Sequence, residues 1–152
     1  MKTIFLGISS DRFYYESITE IRGEFLKRGI LIGHDISIGN DVSIGYGALI
    51  GDDVSIGNNV SIGEGVSILS YAKIPPSITI NKIYHLVNEY KYSVSGYEWN
   101  GIHYVQLGCF TRTVEEWEKD FWNNDNEFKE GSEAGILRLK AFNKMKTLME
   151  DT

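Results

Sequence analysis

Residues 30–80 read ILIGHD ISIGND VSIGYG ALIGDD VSIGNN VSIGEG VSILSY AKIPPS ITI, a six-residue period. Isoleucine recurs at 32, 38, 44, 50, 56, 62, 68, 74 and 80, and glycine follows it at 33, 39, 45, 51, 57 and 63. A small or β-branched apolar residue falls four places after each isoleucine, at Ile36, Val42, Ala48, Val54, Val60, Val66, Ala72 and Ile78. Helical packing needs apolar residues about 3.6 apart, whereas these come in pairs two apart. That is strand alternation with a regular corner: Val42 and Ile44 inward, Ser43 outward, then Gly45 to turn.

Three such sides close a triangular coil. Eighteen residues then return each side chain above its predecessor at the sheet spacing of about 4.8 Å. In this pattern the chain resembles the hexapeptide-repeat family. The resemblance implies a left-handed parallel β-helix that assembles as a homotrimer or a multiple of one. The hand comes from the resemblance, since the general crossover rule favours the opposite one. Eight hexads give a little under three coils, and a stack this short buries too little apolar surface to stand well alone, so self-association also follows from size.

The outward residues stack in columns of their own. Ser37 lies under Ser55 and Lys73, Ser43 under Ser61 and Thr79, and Leu31 under Leu49 and Ser67. The two leucines on an otherwise serine exterior suit a subunit interface. At the corners His34 stacks with Asp52 and Ser70, and Asp35 with Asp53 and Tyr71. Stacked carboxylates offer a place for a cation, and turn residues accepting local backbone hydrogen bonds account for them more simply. The period decays at Ile68-Leu69-Ser70-Tyr71 and ends at Pro75-Pro76, where proline cannot donate to a ladder.

Before the repeat, residues 2–8 read as a strand closed by the turn-like Ser9, Ser10 and Asp11. Glu16 to Arg28 carries Ile18, Ile21 and Phe25 at helical spacing with Glu24 and Arg28 four apart. Gly23 weakens that helix, whose task is to cover the first coil. After the repeat, residues 83–110 are aromatic and β-prone, and Asn100-Gly101 signals a two-residue hairpin, with Gly108 closing the sheet. Thr113-Val-Glu-Glu116 is a capping box that starts a helix carrying Val114, Trp117 and Phe121. Ser132 caps a second helix reaching about Glu150, with a stripe of Leu137, Ala141, Met145 and Leu148 widened by Phe142 and Met149. The expected organisation is mainly β: an N-terminal cap over 1–29, the β-helix over 30–80, and a β-hairpin plus two-helix (ββαα) module over 81–152. The run Gly108-Cys109-Phe110-Thr111-Arg112-Thr113 ahead of a helix looks like the tail of small phage and prophage proteins. That resemblance implies a phage accessory protein in the host cytosol.

Composition narrows the function. A chain of 152 residues suits one compact domain or two small modules, and 15 Lys plus Arg against 21 Asp plus Glu give a net charge of −6. That balance speaks against nonspecific binding to nucleic acid. No apolar run approaches the roughly 20 residues that span a bilayer, and the N-terminus lacks a signal-peptide pattern. Cys109 is the single cysteine, so no intrachain disulfide forms, a reducing cytoplasm fits, and the residue reads as a small buried hydrophobe.

Many hexapeptide proteins transfer acyl groups from coenzyme A with a histidine base. Here His34 is the only histidine inside the repeat and no inserted loop brings another. His34, His85 and His103 are too scattered for a three-histidine zinc site, so neither a metal nor a cofactor is expected. Tyr84, His85, Lys91, Tyr92, Tyr97, Trp99, His103, Tyr104, Thr111, Arg112 and Thr113 combine aromatic faces with cations and a helix N-terminus. Such a set suits a planar, anionic ligand. The leading expectation is a noncatalytic, homo-oligomeric phage protein that sequesters a small nucleotide-like signal of host immunity. The alternatives are a trimerisation and interaction module and, third, an acyltransferase.

Overall fold

The structure is a computed structural model that describes residues 1–7, 11–123 and 125–150. The turn expected at Ser9-Ser10 lies outside the described residues. The chain divides into two compact units, Met1–Ile83 and Tyr84–Thr152.

In the first unit, β1 (Lys2–Leu6), β2 (Asp11–Tyr15) and α1 (Ile18–Lys27) precede nine short strands. These are β3 (Leu31–Ile32), β4 (Ser37–Ile38), β5 (Val42–Ile44), β6 (Leu49–Ile50), β7 (Ser55–Ile56), β8 (Ser61–Ile62), β9 (Ser67–Ile68), β10 (Lys73–Ile74) and β11 (Thr79–Ile80). They form three parallel columns, β3-β6-β9, β4-β7-β10 and β5-β8-β11, each stepping by eighteen residues as in Leu31↔Leu49↔Ser67. The isoleucines from Ile38 to Ile80 and their partners from Val42 to Ile78 fill the interior, none more than 5 % exposed.

Two positions in each hexad explain the glycines. A Cβ on Gly51 would sit 2.6 Å from the backbone nitrogen of Ser70, so the residue after each isoleucine from Ile32 to Ile56 is bare because the next rung presses on it. The turn itself falls two places later. Asp35, Asp41, Asp53, Asn59, Tyr71 and Ser77 have φ between 56° and 70°, and Gly29, Gly47 and Gly65 fill the same place at the third corner. The corner side chains also reach across rungs. Asp52 accepts from the His34 N–H (2.8 Å), Ser70 from the Asp52 N–H (3.0 Å) and Asn58 from the Asn40 N–H (2.7 Å).

The entry to the stack is more than a helix. β1 pairs in parallel with β5 (Ile4↔Val42, Leu6↔Ile44) and takes the place of a preceding repeat strand, and β2 pairs antiparallel outside it. Asp11, expected in a turn, begins β2, and α1 starts at Ile18 rather than Glu16, burying Ile21 and Phe25. Arg28 joins Glu24 (3.0 Å) and Asp11 (2.8 Å).

The second unit holds a four-stranded sheet in chain order, β12 (Ile83–Leu86), β13 (Val94–Trp99), β14 (Ile102–Leu107) and β15 (Phe110–Thr113), the last three antiparallel to one another in turn. Asn100 (φ 53°) and Gly101 (φ 80°) make the expected primed turn. The sheet does not close at Gly108. Gly108 (φ 64°) and Cys109 form a second tight turn that returns the chain as β15, with Leu107 opposite Phe110. Cys109 is accordingly exposed, contrary to its reading as a buried hydrophobe.

Helix α2 (Val114–Lys119) carries the complete capping box of Thr113 and Glu116, and Phe121 is buried just past its end. In α3 (Glu133–Glu150) the buried face is Gly135, Arg138, Ala141, Phe142, Met145 and Met149. Leu137 and Leu148 of the expected stripe are 41 % and 36 % exposed, because Arg138 occupies the inward position instead. The core joins Val94, Val105 and Leu107 of the sheet to Trp117, Phe121, Phe128, Phe142, Met145 and Met149.

Candidate functional site

Strand alternation sorts the aromatic and basic candidates onto opposite sides of one sheet. The registers Tyr97↔Tyr104, Glu98↔His103, Tyr104↔Thr113 and Val105↔Arg112 fix which residues share a side. His103 and Arg112 fall on the side of Val94 and Val105, which packs against α3, and Tyr84 packs against the same core. Tyr97, Trp99, Tyr104, Thr111 and Thr113 fall on the other side, and His85 joins them through its Nδ1, 3.0 Å from the Ser95 hydroxyl. Lys91 and Tyr92 stand apart, in the segment between β12 and β13. The eleven candidates therefore do not line one cleft.

Several are also engaged inside the chain. Tyr97 is fully buried, its ring stacked on Tyr104 (centroids 5.4 Å apart, 17° between planes), which removes it from the reach of a ligand. Its phenol is pushed up by burial. Thr113 accepts from the Glu116 N–H while its own N–H donates to the Glu116 carboxylate, holding that carboxyl below its usual range. Lys91 and Tyr92 both donate to Glu127 (2.8 Å each), lowering its carboxyl chiefly through Lys91. The Arg112 guanidinium lies 4.7 Å from the centre of Trp117 and donates to the Asp120 carbonyl. In the amide orientation that satisfies both partners, Asn123 also accepts from Arg112. Trp99, His103 and Tyr104 remain half-buried toward the hairpin end.

Arg138 is the residue that periodicity missed. It is 1 % exposed, pairs with Asp125 (3.0 Å), donates to the Phe121 carbonyl (3.1 Å), and lies between 4.7 and 5.6 Å from the centres of Phe128, Phe121 and Trp117. Asp125 also accepts from the Glu127 N–H. Two arginines, from β15 and α3, thus hold the segment that follows α2. A shallow depression lies above it, lined by Trp122, Asp125, Asn126, Lys129 and Glu130. The only sequence signal was an arginine inside a helical stripe that is otherwise apolar.

The first unit presents a different surface. Leu31 is 55 % exposed and Leu49 beside it 39 %, with Tyr46 and Tyr71 exposed at the two bordering corners. The other two columns show Ser37, Ser55 and Lys73, and Ser43, Ser61 and Thr79. His34 is exposed at a corner. Among the described residues no group of three His, Cys, Asp or Glu is placed to hold a metal ion, and no helix is long and apolar enough to cross a membrane.

Residues 35–70 match the family model described as bacterial transferase hexapeptide (six repeats). No curated protein and no solved structure matches the chain. The six-residue period, the eighteen-residue registers and this match agree that the central segment carries hexapeptide repeats.

Proposed function

We propose that this is a noncatalytic scaffold protein. Its repeats wind as a left-handed β-helix and assemble side by side, as a trimer, through the column that carries Leu31 and Leu49. The second unit is then the part displayed to other molecules. The observation that carries this reading is the asymmetry of the exterior: two register-paired leucines on one column and none on the others. Covering such side chains gains about 25 cal/mol per Å² removed from water, which a short solenoid lacks in its own interior.

Sedimentation velocity tests it. The wild-type chain is expected as a trimer or a multiple, and Leu31→Asp with Leu49→Asp is expected to cut the mass at least threefold while the circular dichroism is kept. A wild-type monomer at tens of micromolar, or an unchanged mass in the variant, overturns it.

A second reading, sequestration of a small anionic ligand by a phage-type protein, rests on the half-buried Trp99 and Tyr104, which share one side of the sheet. It requires that Trp99→Ala abolish the calorimetric heat of a nucleotide panel. If the wild-type chain gives no heat with any nucleotide, this second reading fails and the scaffold reading is untouched.

A further inference from the structure

The strands of a stacked repeat bond to one another along the stack, so every column must end in an edge of unpaired backbone groups. At the N-terminal end of this stack two columns are stoppered by cations. Arg22 donates to the carbonyls of Ile32 (3.2 Å) and Gly33 (3.0 Å), beyond β3, and Lys2 donates to the carbonyl of Ile38 (2.6 Å), beyond β4. The third column ends differently. β1 and β2 extend it, and among the described residues no strand lies beyond β2 and no side chain bonds a backbone group of Asp11 to Tyr15. The side-chain bonds there, Arg28 to Asp11 and Arg12 to the Tyr14 hydroxyl (2.9 Å), leave the backbone edge open.

We propose that this edge is an interface for a second copy of the chain, with β2 pairing antiparallel to the partner's β2 about a two-fold axis at Phe13. The sequence of the strand is self-complementary in that register. Arg12 falls opposite the partner's Tyr14 and Asp11 opposite the partner's Tyr15, so no like charges meet, and the guanidinium that already holds Tyr14 within the chain finds the same chemistry across the interface. An isologous pair closes after two copies, whereas the stoppered columns block open-ended growth. One five-residue pairing buries far less than the roughly 1,000 Å² that a stable interface needs. For its strength, though not for its geometry, the contact therefore rests on the lateral assembly proposed above, which would repeat it three times around one axis. The two together give a head-to-head hexamer.

Native mass spectrometry of the full chain reads both contacts separately. The wild type is expected at an even stoichiometry. Arg12→Asp with Tyr14→Asp, which sets carboxylates opposite carboxylates, is expected to halve the mass, whereas Leu31→Asp with Leu49→Asp is expected to leave monomer, because the β2 pairing alone buries too little to hold. An odd wild-type stoichiometry, or an unchanged mass in the Arg12/Tyr14 variant, overturns the inference.

A thiol trap keeps the inference testable should that variant not fold. In a Cys109→Ser background, Arg12→Cys with Tyr14→Cys puts thiols on facing strands, where opposite Cα atoms lie about 4.5–5.5 Å apart, within disulfide reach. A covalent dimer on a non-reducing gel is the expected result, and because oxidation accumulates even a transient pairing it forms whether or not the lateral contact exists. Monomer alone overturns the β2 pairing.

Discussion

The Asn58 side chain accepts the backbone N–H of Asn40, eighteen residues earlier, at 2.7 Å, and the Asn40 side chain in turn accepts the N–H of Thr3 at 2.8 Å. One corner of the stack is thus a ladder of amides that runs from the repeats into the N-terminal strand. Asn58→Ala is expected to cost about 1 kcal/mol and Asn58→Asp distinctly less, since the carboxylate still accepts. The midpoint of urea unfolding measures both. Equal losses for the two variants would mean that the ladder bond contributes nothing.

Three glycines should respond in three different ways to alanine. Gly51→Ala drives a Cβ into the backbone of Ser70, which cannot yield, and is expected to cost more than about 3 kcal/mol. Gly65→Ala meets open space but must hold φ near 68°, costing about 1–2 kcal/mol. Gly23→Ala, in an exposed helix position with nothing nearby, is expected to stabilise by about 0.5–1 kcal/mol. Thermal denaturation of the three variants checks the order as well as the sizes.

Arg138→Met keeps the volume inside the ring of Trp117, Phe121 and Phe128 but strands Asp125 and the Phe121 carbonyl. Because Asp125 is partly open to water, the expected loss is about 2–3 kcal/mol, below that of a fully enclosed pair. Asp125→Asn combined with Arg138→Met should recover part of it. Denaturation followed by tryptophan fluorescence would show both effects, since all three tryptophans lie in the second unit.

Alkaline pH should loosen the fold in a definable range. Burial raises the phenols of Tyr90 and Tyr97 above the ordinary value of 10, and neither hydroxyl finds a protein partner. Above that pH the unfolded chain releases protons that the folded chain keeps, so this part of the stability is complete below about pH 10 and falls as the pH rises further. Tyr97→Phe with Tyr90→Phe is expected to flatten the fall while leaving stability at pH 7 unchanged or slightly higher. Superimposable alkaline unfolding curves for variant and wild type would rule out this origin.

The repeat announced its strands because inward isoleucines and crowded glycines both follow from one constraint, the next rung eighteen residues on. The same constraint explains its end. Leu69, Pro75 and Asn81 stand where earlier hexads have glycine, and none of them has a repeat strand stacked above it. Phe110 to Thr113 gave no such signal, because four residues after a glycine look like a helix approach until β14 is there to pair with them. The candidate ligand residues were legible as types and not as places. Alternation on a sheet sends neighbours such as Arg112 and Thr113 to opposite sides, and only the register says which side is which. Arg138 escaped notice because apolar spacing assigns an arginine to water, whereas three aromatic faces and a carboxylate make an interior place for it.

The eighteen-residue step has a consequence for how such a chain can change length. Duplicating eighteen residues within 36–65 would add one full storey and return every later side chain to the column it already occupies. A six-residue duplication between Leu31 and Leu49 would instead shift all later hexads by one column, moving Leu49 off the column of Leu31 and onto a serine column. Insertions should therefore be tolerated in multiples of three hexads, and a single added hexad should break up the leucine face even where the interior packing survives intact.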